Sequence, residues 1–303
     1  MIPREKEVDM SSLRCDPWVI YNGFLNTRKF SEHIEWLVRA AKERGVRLLP
    51  VPNTALRLIP GDVIPDLPGK ILFWDKDVRL ASYLEAQNCR LMNSSEAIEV
   101  CDDKSRTHLA LAEAHLPQPR TLVAPMTYDT VGYTDFSFLD AAEDILGYPM
   151  VVKECFGSFG WQVYLAENRE VLDAIVRRIG AKPFLMQEFI ATSRGRDVRL
   201  QVVGGQVCAA MLRTGAEGDF RANLTSGGSM QPYQPSSEEI ELAIAASQAC
   251  GTDFAGVDLL FGREGMLVCE VNSNAHFKNI CDCTGVNVAG VIMDWFLQSG
   301  SEI

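Results

Sequence analysis

The segment Ala255–Asn272 constrains the fold more than any other. Alternating apolar positions over 255–261 and 266–272 predict two antiparallel strands, and Arg263-Glu264-Gly265 predicts a three-residue turn closed by a glycine at positive φ. That register sets Phe261 opposite Leu267, Leu259 opposite Cys269 and Asp258 opposite Glu270. Asn272 lies two residues past Glu270 and shares its face. Carboxylates directly opposite each other repel; at ~5 Å and an effective dielectric of about 20 the cost is roughly 3 kcal/mol. The register puts Val257, Leu259 and Phe261 on one face, with Leu260, Met266 and Val268 beside the acids on the other. A solvated acidic edge fits two apolar faces poorly. A hard divalent cation turns the repulsion into binding, and the all-oxygen set Asp258, Glu270 and Asn272 suits Mg²⁺. On this reading, Asp258→Asn or Glu270→Gln leaves the metal-free fold as stable as before, or more so.

A chain of 303 residues supplies two or three packed lobes around such a hairpin. Its net charge of −11 excludes the basic footprint of a nucleic-acid surface. Nine scattered cysteines without a CxxC pair read as reduced thiols of a cytoplasmic protein. The polar N-terminus carries no signal-peptide core, and no apolar run approaches the ~20 residues of a membrane span.

Strands at 18–21, 46–51, 70–74 and 91–92 alternate with helices over 31–44 and through Leu80 and Leu84. This is the pattern of a parallel α/β domain within 1–100. A helix is predicted over 102–114 and a loop over 125–138. Strands follow at 150–153 and 162–165, then a helix at 169–179 and a strand at 184–190. A hairpin of 197–203 and 206–213 turns at Gly204-Gly205, before a Gly/Ser/Asn-rich loop at 215–231 and helices at 238–250 and 287–298. The division predicted is an N-terminal domain at 1–100, a central lid at 101–186 and a C-terminal sheet domain at 187–303.

Lys153 ends an apolar strand and is followed by Gly157-Ser158-Phe159-Gly160. A lysine supplies a point charge for phosphate, and a Gly/Ser loop lets backbone N–H groups approach it. Alone, the loop reads equally as a hairpin turn. Arg199 and Arg213 carry forked donors suited to phosphate, or to surface ion pairs. Lys104 opens a helix, where an anion is welcome.

Taken in order, these pieces resemble the ATP-grasp superfamily, and more narrowly the RimK-like amino-acid ligases that include ribosomal-protein glutamate ligase. The matching segments are Asp103-Lys104, Leu116–Thr121, Tyr148–Lys153, Gly157–Gly160, Met186–Ile190, Gly195–Arg199, Met211–Arg213, Asp219–Asn223 with Gly227-Gly228, Gly256–Asp258 and Glu270–Asn272. The resemblance implies an α/β ATP-grasp fold and an ATP- and Mg²⁺-dependent ligase. Such an enzyme joins an amino acid to a carboxylate on a small molecule or peptide through an acyl phosphate. It implies that Lys104 and Lys153 contact ATP phosphates under a mobile Gly157-Ser158-Phe159-Gly160 loop. Gln187, Glu188 and Ile190 would flank adenine, and Asp197 would approach ribose or substrate. Arg213 would steady the transferred phosphoryl group. Asp258, Glu270 and Asn272 would hold two Mg²⁺, with Mn²⁺ as an alternative, and Asn223 would be shared between metal and substrate. Relatives are often dimers or tetramers, which leaves homo-oligomerisation open.

The chain departs from the ribosomal-protein ligases at Thr225-Ser226, where those carry a His-Arg pair, and at Asn274, His276 and Lys278 beyond the last metal ligand. These five positions are expected to select the substrate. Thr225 and Ser226 leave more room and less positive charge, which suits a substrate less anionic than a glutamate-rich tail; the alternative is that His276 and Lys278 hold one carboxylate from the opposite side. An ATP-grasp kinase of a polyol and a nucleotide-binding regulator without turnover are the rival readings.

Overall fold

The computed structural model describes residues 16–157, 160–222, 224 and 227–299. Among these residues, three sheets carry the fold. The first is built from β1 (Trp18–Tyr21), β2 (Leu49–Pro52), β3 (Lys70–Trp74) and β4 (Arg90–Met92), all parallel in the order β2-β1-β3-β4. Helices α1 (Arg28–Glu43) and α2 (Val78–Glu85) flank it. The α1 stripe of Ile34, Leu37, Ala40 and Ala41 is buried, and Gly45 leaves the helix at φ +74°.

The helix expected at 102–114 is α4 (Lys104–Glu113), and a further helix, α3 (Ser95–Asp102), precedes it. Ser94 caps α3 by accepting from Ala97 N at 3.2 Å, and Asp103 caps α4 by accepting from Ser105 N at 2.9 Å. The central sheet runs β5-β8-β6-β7, from β5 (Thr121–Val123), β6 (Met150–Glu154), β7 (Val163–Ala166) and β8 (Phe184–Glu188). With α5 (Phe138–Leu146) and α6 (Arg169–Ile179) it closes a separate core around Leu139, Val152, Leu172 and Met186. By contrast, Cys101 and Leu111 of α3 and α4 pack into the core of the third sheet.

That third sheet is antiparallel, in the order β11-β10-β9-β12-β13. Its strands are β9 (Arg196–Val203), β10 (Gln206–Thr214), β11 (Ser229–Pro232), β12 (Phe254–Phe261) and β13 (Met266–Asn272). Helix α7 (Ser237–Ala249) starts in a capping box of Ser236 and Glu239; α8 (Lys278–Thr284) and α9 (Val288–Gln298) end the fold. No single helix among the described residues is long and apolar enough to cross a membrane.

The β12–β13 hairpin keeps the pairing of Asp258 with Glu270 but not the uniform register expected. The turn spans 262–265, Leu259 pairs with Val268 and Phe261 with Met266, and a bulge at Cys269 absorbs the offset. Val268 therefore packs with Val257 and Leu259, away from the acids, while Cys269 joins the acidic side.

The first and third sheets share one core, in which Val19, Leu37, Leu72 and Met92 meet Phe254, Ile292 and Phe296. Trp74 stacks on Phe254 with centroids 5.3 Å apart. Asn93 rivets the two: its amide donates to Phe254 O and Ser273 O, each at 2.9 Å, and accepts from Asp253 N at 2.6 Å. Between the three sheets lies a cavity of about 600 Å³.

Candidate active site

The register of β10, β9 and β12 sets Arg213 opposite Asp197 and Arg199 opposite Asp258, all on the cavity wall. Arg199 grips Asp258 through two bonds, Nε to Oδ1 and Nη2 to Oδ2, both 2.6 Å. Arg213 grips Asp197 in the same way at 2.7 Å, and its Nη2 also lies 2.9 Å from Asp258 Oδ2. Burial opposes the charge on Asp258, but Arg199 and Arg213 outweigh it and hold the carboxyl below its ordinary value. At Asp197 burial prevails over Arg213, and the nearby Asp258 charge adds to it, so that carboxyl is raised.

Lys104, the first residue of α4, is buried. Its Nζ sits 3.5 Å from Glu270 Oε1 and donates to Gly157 O at 3.3 Å. Glu270 is lowered in pKa: burial opposes its charge, and Lys104, Lys153 and Arg199 together overcome that penalty. Lys153 on β6 brings its Nζ to 3.6 Å from Cys269 Sγ, which the bulge has turned inward. The two lysines thus reach the acidic strand β13 from α4 and from the central sheet. Gly157 and Gly160 line the cavity beside them. Ser158, Asn223, Thr225 and Ser226 lie outside the described residues.

Sequence reasoning missed Arg221, whose Nη1 donates to Gly160 O at 2.8 Å while Asp219 braces its Nε at 3.0 Å. It ties the glycine loop to the segment after β10. Gln187, Glu188 and Ile190 line the cavity where the central sheet leads towards β9. Gln187 is buried: its Nε2 donates to Thr121 Oγ1 at 2.8 Å and meets His108 Nε2 at 2.8 Å. Burial, then the Lys153 charge, pushes His108 down to about 4, so its ring is neutral and Nε2 accepts. Glu188 Oε1 accepts from Arg120 N at 2.8 Å.

The substrate set divides. Asn274 and His276 line the cavity, but Lys278 does not. Lys278 pairs with Asp282 one turn along α8, and its Nζ lies 5.8 Å from the centre of the Trp36 ring. His276 stands edge-on to His33 and Phe30, with ring centres 4.4 and 5.0 Å away. Burial, then the His33 charge, pushes it to about 3 and leaves it neutral. The structure does not bring His276 and Lys278 together on the cavity wall: His276 lines the cavity and Lys278 does not.

Among the described residues, no three His, Cys, Asp or Glu side chains group as a metal site. The acidic wall offers two carboxylates and an amide instead. Asn272 Nδ2 donates to Gly256 O at 3.4 Å, which leaves Oδ1 to ligate. This hard-oxygen set fits a divalent cation once Arg199 or Arg213 yields an oxygen of Asp258.

A central sheet and an antiparallel sheet enclosing a cleft, with lysines from two elements facing a carboxylate–amide wall, define an ATP-grasp enzyme. Ligases of this class join a carboxylate to an amine using ATP and a divalent metal. Residues 101–296 match the family model for the RimK-like ATP-grasp domain, and the chain belongs to that family. It is 37% identical over 241 residues to a probable alpha-L-glutamate ligase of Aliivibrio salmonicida, covering 79% of this chain and 77% of that one. It is 35% identical over 253 residues to human N-acetylaspartylglutamate synthase A, covering 82% of this chain but only 63% of the synthase. A solved RimK domain ATP-grasp protein of Sphaerobacter thermophilus shares the fold, with a TM-score of 0.72, 23% identity and coverage of 92% and 98%.

Proposed function

We propose that this chain forms an amide between a substrate carboxylate and the amine of an amino acid, with glutamate as the amino acid, through an acyl phosphate and with release of ADP. The single observation behind it is the convergence of Lys104, Lys153, Arg199 and Arg213 on the wall of Asp258, Glu270 and Asn272. The kinship to proteins named probable alpha-L-glutamate ligase and N-acetylaspartylglutamate synthase A supports glutamate.

In this reading, Lys104 and Lys153 bind the phosphates and Gly157 and Gly160 close over them. Arg213 and Arg199 balance the charge that builds as the substrate carboxylate attacks phosphorus. Asp258, Glu270 and Asn272 hold two Mg²⁺, or Mn²⁺, which when bound neutralise phosphate charge. Arg199 and Arg213 keep Asp258 ionised and in place before the metal arrives. The amine then forms the C–N bond and phosphate leaves.

The test is to supply ATP, Mg²⁺ and the carboxylate without the amine, and to trap with hydroxylamine. A hydroxamate is expected. A phosphorylated product inert to hydroxylamine identifies the polyol kinase instead, and no ADP release under any substrate identifies a binder.

A further inference from the structure

Asn22, Asn53 and Asp75 are each the first residue past β1, β2 and β3. Those strands end level, because Tyr21 pairs with both Pro52 and Trp74. Parallel sheets open their ligand crevices at this carboxyl edge. Here Asn22, Trp74 and Asp75 line the cavity.

Asp75 is 7% exposed. Among the described residues its carboxylate accepts only from neutral donors: Lys76 N at 2.8 Å, Asn53 Nδ2 at 3.0 Å and Asn22 Nδ2 at 3.2 Å. The ammonium of Lys76 is turned to Asp102. Burial raises the Asp75 carboxyl above its ordinary value, and the three donors offset only part of that. A carboxylate so placed lacks a counter-charge.

Two further acceptors stand beside it. Asn274 Nδ2 donates to Asp75 O at 2.5 Å, which fixes the amide's orientation and leaves Oδ1 buried without a hydrogen-bond partner among the described residues. Ser273 is 1% exposed, and its Oγ is likewise without a partner there. Both residues line the cavity. An ammonium group carries three N–H donors and one positive charge, the complement of this set. His276, which also lines the cavity, is neutral; Lys29 and Lys76 line it too, and Lys76 is paired with Asp102. Asn274 follows Asn272 by two residues, so the acceptors adjoin the metal wall.

We propose that Asp75, Asn274 Oδ1 and Ser273 Oγ form the subsite for the ammonium group of the incoming amino acid. The inference rests on the ligase reading only in naming that group as the amine substrate.

The test is calorimetric and needs no turnover. Protein saturated with Mg²⁺ and a non-hydrolysable ATP analogue is titrated with L-glutamate and with glutarate, which keeps both carboxylates and lacks the ammonium. The other amino acids are then paired with their deamino analogues. Wild type is expected to bind the amino acid at least 10-fold tighter than its analogue. Asp75→Asn should erase that preference while holding the ATP analogue as wild type does. Asn274→Ala, which removes Oδ1 and keeps the carboxylate, should lower the preference 3- to 10-fold and serves if Asp75→Asn does not fold. An unchanged preference in both variants, equal loss of both probes, or no preference for any pair in wild type overturns the subsite. Hydroxylamine trapping reads the ligase assignment separately, so either can fail alone.

Discussion

Replacing Asp258 by Asn should destabilise the metal-free protein, the reverse of what like-charge repulsion with Glu270 implies. The carboxylate takes two bonds of 2.6 Å from Arg199 and one contact of 2.9 Å from Arg213. All three side chains are well shielded, at 5% exposure for Asp258 and 13% for each arginine. Breaking a buried ion pair by removing one partner costs about 3–5 kcal/mol. Arg213 retains Asp197, and Asn still accepts one bond, so a loss near the low end, about 3 kcal/mol, is expected. Urea denaturation at pH 7 with chelator measures it. The folded pKa of Asp258 is depressed, so its stabilisation is full above the unfolded carboxylate value of about 3.9 and is lost as pH falls through the lower folded value. Asp197, with a raised folded pKa, works the other way and favours the fold as it protonates. The gap between wild type and variant should therefore hold at neutral pH and shrink below about pH 4. A variant equal to or more stable than wild type without metal would refute the reasoning.

Lys278→Ala should change kcat/KM less than about 2-fold and stability by no more than about 0.5 kcal/mol, since its exposed pair with Asp282 lies outside the cavity; steady-state kinetics and a melting curve check both. Asn93→Ala removes the buried bonds that join the first and third sheets and should cost on the order of 3–5 kcal/mol at about 1 kcal/mol per bond or more. Denaturant melts monitored at Trp74 and Trp295 would show it. Gly256→Ala places a Cβ 2.6 Å from Ala275 Cβ, so overpacking of about 1–3 kcal/mol is expected in the same melts; a neutral substitution would mean β12 and the chain after β13 are not held so close.

Much of the third sheet was legible because its strands alternate in period two and its turns carry glycine. The pairing of Asp258 with Glu270 was found this way, yet the residues nearer the turn were displaced by one. A bulge leaves no mark in a periodicity that continues on either side of it, and only the inward Cys269 betrays it. Helix α3 went unpredicted, although Ser94 is a residue type that caps helices and here caps α3. Lys278 was read by its nearness to a metal ligand in sequence, while the acid four residues on, Asp282, was the available sign of an ion pair along a helix. The Asn22, Asn53 and Asp75 cluster could not be read at all, since each residue is unremarkable alone. Only parallel pairing of three strands brings their ends level.

The shared core of the first and third sheets also bears on how this chain is made. Val19, Leu72 and Met92 have no complete apolar surroundings until Ile292 and Phe296 arrive. At ~5–20 residues per second, the roughly 200 residues between Met92 and Phe296 take about 10–40 s to emerge from a ribosome. For that interval the parallel sheet offers an apolar face that α1 covers only in part, and a fragment spanning only 101–296 would leave the opposite side of that core uncovered permanently. Expression should therefore tolerate internal loop changes better than loss of either end.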